Sequence, residues 1–158
     1  LQMIAHGFVV VGLFFVAEII YRRYETRIIA DMGGIRAQSP KFTSMFLILV
    51  LASVALPSTF NFVGEFTVLY SLAQINIWFA ILGGLTIILG AYYMLKMFQY
   101  AMLGETNTKI FKDVTVNEGV SLLVIIGVLF FFGMYPKPIN DLITPSLEGI
   151  LQVINRIQ

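Results

Sequence analysis

Apolar residues fall in four long blocks along this chain, 1–21, 42–74, 77–102 and 117–135, separated by polar connections and followed by a short tail. A hydrocarbon layer of roughly 30 Å takes about 20 helical residues to cross, so every block is long enough to span. The alternating ten-residue pattern of a membrane barrel is absent, which makes helices the spanning form. The second block is too long for one crossing: as a single helix, residues 42–74 would extend about 50 Å at roughly 1.5 Å per residue. Within it stands LPSTFNFVGEF, residues 56–66, where a proline and several polar residues interrupt the apolar run. Pro57 has no backbone N–H, and its ring clashes with the carbonyl four residues earlier. The pattern therefore predicts a discontinuous second helix, broken over 56–61, with Ser58, Thr59 and Asn61 available to cap the half that restarts.

Beyond the fourth block, Pro136 and Pro138 end the helix. In the tail, 140–158, Leu147, Ile150, Leu151 and Ile154 recur at i, i+3, i+4 and i+7, the stripe of an amphipathic helix lying on a membrane surface or on a neighbouring subunit. The reading is thus an all-α membrane protein: a transmembrane bundle over 1–139 and an amphipathic surface helix after it. Gly83, Gly84 and Gly90 in the third block provide for close helix approach, and Tyr92, Tyr93 and Tyr100 form an aromatic belt at its end.

Composition agrees. Of the 158 residues, 58% are hydrophobic and 12% charged, with a mean hydropathy of +0.87, outside the range of soluble domains. There is no cysteine, so disulfides, thiolate metal sites and iron–sulfur ligation within the chain are excluded, and a net charge of +1 argues against a nucleic-acid partner. The opening run has no basic flank and no small-residue cleavage site, so it is not a signal peptide. It reads as a helix entered partway along, and the chain is expected to be the C-terminal part of a longer polypeptide. Arg22, Arg23, Arg27, Arg36 and Lys41 lie in the first connection and Lys109 and Lys112 in the third, against only Lys137 and Arg156 on the other side. The positive-inside tendency puts the first and third connections on the cytoplasmic or matrix side.

Of the ionisable residues inside the apolar blocks, three are candidates for chemistry. Glu65 follows the proline break by eight residues and has apolar neighbours on both sides. A charge at the bilayer centre costs at least about 2.5 to 3.5 kcal/mol, so a carboxyl there marks a functional group able to load and release a proton, or else a neutral one bonding an adjacent helix. His6 is the single histidine, and it suits either a proton relay or a neutral link between helices. Lys96, near the end of the third block, either snorkels to the headgroups or faces a hydrated channel. Glu18 and Arg22, four residues apart, are placed to form an ion pair at the membrane edge. No phosphate loop, zinc-ligand spacing or nucleophile with a base in reach is present, so the chain holds nothing for bond-making chemistry.

The runs MIAHGFVVVGLFF, RYETRIIADMGGI, LPSTFNFVGEF, AYYMLKMFQYAMLG and GMYPKPI, in this order, resemble the C-terminal portion of the antiporter-like subunit M family, mitochondrial subunit four, of proton-translocating NADH:quinone oxidoreductase (respiratory complex I). The resemblance implies a fourteen-helix antiporter-like fold of which this chain supplies the last four helices. By the same resemblance Glu65 is the carboxylate of the exit half of the proton path and His6 the histidine of the central polar axis. Lys96, Asn61, Thr59 and Ser58 are further candidates for that path, without a matched role. The implied partners are the other membrane-arm subunits, including sister antiporter-like subunits, and the lipid bilayer. NADH, flavin, iron–sulfur clusters and quinone are expected in other subunits and no cofactor in this chain. Two alternatives stay open: a subunit of a multi-subunit sodium/proton antiporter or membrane-bound hydrogenase, and scaffold helices with no proton role.

Overall fold

The computed structural model describes residues 1–105 and 110–157, with side chains at 151 and 154–157 left out of account. Lys109, Leu151, Ile154 and Arg156 therefore lie outside the described side chains. Among the described residues all regular structure is helical: α1 (Gln2–Tyr24), a single 3-10 turn (Ile29–Asp31), α2 (Ile35–Gln38), α3 (Pro40–Ser53), α4 (Phe60–Ile75), α5 (Ile77–Met102), α6 (Val116–Met134) and α7 (Lys137–Ile157). α1, α5 and α6 are each long and apolar enough to cross a membrane, and the shorter apolar α3 is continued past an interruption by α4.

α1 is organised by one face. Ala5, Val9, Gly12, Val16 and Ile19 are buried, at alternating steps of four and three residues, and make the seam against α3 and α6. Gly12 is where the contact is closest: a Cβ there would lie 2.9 Å from Leu49 Cδ2 of α3 and 3.2 Å from Ile125 Cγ2 of α6. In lipid, where apolar surface gains little from mere burial, such small-residue contacts are what hold helices together. Arg22 and Arg23 in the last turn suit the negative end of the helix dipole, and Glu25 closes the helix in a left-handed conformation (φ 56°) with its N–H bonded to Tyr21 O.

The second crossing is discontinuous, as the proline requires, but the interruption begins earlier than expected. α3 stops at Ser53, the residue four before Pro57 and so the one whose carbonyl Pro57 cannot serve. Ala55 takes a left-handed φ of 57°, and Leu56 N–H reaches back to Leu51 O at 3.0 Å, closing the helix end. Ser58, at φ 74°, turns the chain again, and α4 starts at Phe60. The break thus covers 54–59 rather than 56–61, and Asn61 sits inside α4. Thr59 occupies the N-cap position without capping: its hydroxyl donates backwards to Leu56 O at 2.6 Å.

Two other sequence expectations change. Of the three glycines in α5, only Gly83 meets a neighbouring helix, with Leu69 and Leu72 of α4 against it. The tail helix starts at Lys137, three residues before the expected boundary. Pro138 falls in its first turn, where a missing N–H costs nothing, so the two prolines separate α6 from α7 without preventing a new helix. α7 exposes Leu142, Leu147, Ile150 and Val153.

At the basic end the bundle is clamped. Phe111 packs edge-on to Tyr24 (5.3 Å between ring centres) and against Phe42 (5.2 Å), while Phe46 meets Phe98 of α5 (5.4 Å). Asp113 accepts from Phe42 N–H at 3.1 Å and so caps α3 from outside it, and Ser39 donates to Phe111 O at 2.9 Å. α6 opens on a capping box between Thr115 and Glu118. Among the described residues Arg23, rather than Arg22, enters an ion pair: its guanidinium meets Glu118 at 2.7 Å, lies over Phe111 and reaches Asp113 O at 3.2 Å. The expected Glu18–Arg22 pair does not form among the described residues; the cation of this turn that is paired is Arg23, whose partner α6 supplies. Both paired side chains are mostly buried, 14% and 16% exposed. Arg23→Met should therefore cost roughly 3 kcal/mol, because Glu118 is left buried without its cation. Thermal unfolding of the detergent-solubilised protein measures it.

Candidate functional site

Glu65 lies in the second turn of α4, one turn beyond the buried Phe60 and Asn61 that anchor the restarted helix. Its neighbour Gly64 is the point where α1 comes closest. A Cβ on Gly64 would collide with the side-chain oxygen of Gln2 and stand 2.9 Å from Gln2 Cα. This contact carries the start of α1 onto the face of α4 that holds the carboxylate, and Gln2 Nε2 donates to Glu65 Oε1 at 3.3 Å.

Glu65 and His6 line one cavity of about 480 Å³ between α1, the end of α3, α4 and α5. Its polar groups are Gln2, His6, Ser53, Glu65, Thr86 and Tyr93, and its walls are otherwise apolar, with Val9, Leu13, Val68 and Ile87 among them. Glu65 is half-buried, whereas His6 stands on the open side and is exposed in this chain. Ser53 and Val54 also line the cavity, so the last residue of α3 and the first of the break face the carboxylate. Ser53 and Thr86 direct their hydroxyl hydrogens to carbonyls of their own helices, at 2.7 Å each, which leaves their oxygens free to accept from the cavity. A space of this size has room for on the order of ten waters at about 30 Å³ each.

The remaining sequence candidates stand elsewhere. Pro57, Ser58 and Thr59 belong to the break but do not line the cavity. Asn61 is 1% exposed, and its Oδ1 is buried without a hydrogen-bond partner among the described residues. Lys96 lies outside the cavity, with its ammonium 5.7 Å from the ring centre of Tyr100 one turn on. Gln2 is the polar neighbour that sequence reading passed over. Its signal was a glutamine four residues before a histidine on an apolar helix, which places both on one face.

A bundle of membrane-crossing helices, one of them broken beside a carboxylate that shares a cavity with a histidine, is an integral membrane protein of antiporter-like fold. Residues 1–90 match the family described as NADH:quinone oxidoreductase/Mrp antiporter, TM, and the chain belongs to that family. It is similar to NADH-quinone oxidoreductase subunit M of Rickettsia typhi, 40% identical over 153 residues that make up 95% of this chain and 31% of that protein. The subunit M of Rhodobacter capsulatus is 34% identical over 154 residues, 96% of this chain and 30% of that one. Among solved structures, respiratory complex I from Thermus thermophilus with bound NADH contains a chain that superposes with a TM-score of 0.75 at 33% identity, covering 79% of this chain and 27% of that chain. The chain thus spans a little under a third of the length of these curated relatives, 31% and 30%.

Proposed function

We propose that this chain forms the exit-side proton path of an antiporter-like membrane subunit in a NADH:quinone oxidoreductase. The observation that carries the reading is the shared cavity: Glu65 beside a helix break, with His6 across from it on another helix. A non-helical stretch at membrane depth is tolerated where it lines a protected or wet space, and there it exposes backbone polar groups that a continuous helix would consume. The carboxyl and the imidazole are two groups able to hold a proton that line one cavity, so a proton can pass between them through that space.

In this reading the chain carries no redox chemistry. NADH, flavin, iron–sulfur clusters and quinone belong to other subunits, and the partners are the remaining membrane-arm subunits, sister antiporter-like subunits among them. The basic first connection and the clamped third connection lie together at one end of the bundle, which supports assigning that end to the cytoplasmic or matrix side. The test is proton translocation per electron pair by the assembled complex carrying Glu65→Gln; undiminished pumping overturns the reading. Lys96, against Tyr100 and outside the cavity, is not needed by this path. Lys96→Met in the same assay is expected to leave pumping within about twofold of the parent, as for a surface substitution.

A further inference from the structure

Gln2 is bound into the site more tightly than a chance neighbour. Its amide nitrogen donates to Glu65 Oε1 at 3.3 Å, while its amide oxygen is buried over Gly64 and accepts no hydrogen bond from the described residues. Gly64 makes the approach possible, since any side chain there would occupy the place of the amide. One turn along the same face of α1 stands His6, lining the same cavity.

We propose that Gln2 is a positioning residue for proton transfer: a neutral amide that holds the Glu65 carboxyl toward the cavity in both of its protonation states. The proposal rests on the reading that Glu65 carries protons. An amide offers a donor and an acceptor at one end of a rotatable bond, whereas a carboxyl changes from acceptor only to donor and acceptor when it takes up a proton. With Glu65 ionised, Gln2 Nε2–H donates to Oε1, the arrangement in the structure. With Glu65 protonated, a half-turn of the amide presents Gln2 Oε1 to the carboxyl O–H, so the oxygen that now accepts nothing gains a donor. The proton enters and leaves on the carboxyl oxygens of Glu65, from and to an acceptor in the cavity such as His6, and Gln2 keeps its own two amide hydrogens throughout. A leucine at position 2 has similar bulk and does neither.

The test uses the assembled complex with the full-length subunit carrying Gln2→Leu. The titratable groups facing Glu65 in the cavity are His6 on α1 and Tyr93 on α5, and both are left in place. Infrared difference spectra across a pH titration identify the Glu65 carboxyl band by its loss in Glu65→Gln. In Gln2→Leu that band should move to higher wavenumber, because the carboxyl has lost its hydrogen-bond partner. The pH profile of pumping should move to higher pH by about one unit, a tenfold change in proton affinity, because of the two bonds lost the one to the ionised carboxyl is the stronger. Gln2→Asn, a shorter amide, should recover part of both. If the band and the profile of Gln2→Leu coincide with those of the parent, the inference fails. The larger reading fails separately: should Glu65→Gln pump normally while Gln2→Leu shifts the band, the contact is real but Glu65 is not on the path.

Discussion

A complex assembled with Glu65→Gln is expected to pump protons at least about tenfold more slowly than the parent while reaching the membrane in normal amount. Glutamine keeps the size of the side chain and its capacity to bond Gln2, so the packing of α4 against α1 and α5 is undisturbed; only the exchangeable proton is lost. A positioned acid–base group contributes roughly 10²- to 10⁴-fold to a proton-transfer step, and a tenfold fall is the least that follows if the step through Glu65 is one that the whole cycle has to pass. Glu65→Asp separates charge from reach. It retains the carboxyl but shortens it by one methylene in a cavity where Gln2 already stands at 3.3 Å, so its activity is expected between parent and glutamine variant. Proton uptake by the complex in sealed vesicles, measured with NADH oxidation in the same sample, distinguishes a lost proton path from a lost electron path.

The carboxylate was legible in the sequence because it breaks the apolar pattern around it. A charge among apolar residues is an exception that transfer energetics do not allow without a partner or a role, and Pro57 eight residues earlier announces a break in the helix. His6 was visible on the same ground. What composition does not announce is which of the neighbouring polar residues faces the cavity. Ser58 and Thr59 lie nearer to Pro57 in sequence than Ser53 does, and Asn61 lies equally near, yet Ser53 lines the cavity and they do not, because the chain leaves the helix four residues before the proline and re-enters it three after. Gln2 was missed because its relevance comes from a contact 63 positions away, made possible by a glycine whose own neighbours in sequence give no hint of it. The clamp at the basic end was equally hidden. Asp113 and Phe111 lie in a connection with no helical period, and their partners, Phe42, Ser39 and Tyr24, are brought to them only by the packing of α1, α3 and α6.

Gly133→Ala is expected to disturb the site through α6, and to be among the most damaging small substitutions at the described residues. Gly133 lies against the break itself. A Cβ at this position would overlap Ser58 O and come within 2.5 Å of Thr59 C and 2.7 Å of Phe60 N. These are backbone atoms, unable to turn aside as a side-chain tip can, and Ser58 is already held at a φ of 74°, a conformation that costs a non-glycine residue roughly 1–2 kcal/mol. The segment therefore has little freedom to move away, and α6 is pinned by Phe132 packing on Phe60 at 5.5 Å one residue before the glycine. Either α6 withdraws and opens the contact that fixes the start of α4, or the break shifts and carries Glu65 with it. Overpacking in a closed environment costs about 1–3 kcal/mol for a side chain that can relax, and here the upper end applies. The expected result is a fall of about 3 kcal/mol in thermal or denaturant stability, with a smaller yield of assembled complex. The fraction that does assemble should pump below the parent rate even though no titratable group has changed. A serine at 133 should behave like alanine, because the obstruction lies at Cβ, whereas Gly127→Ala on the same helix, with open space around its Cα, should be nearly silent in both measurements.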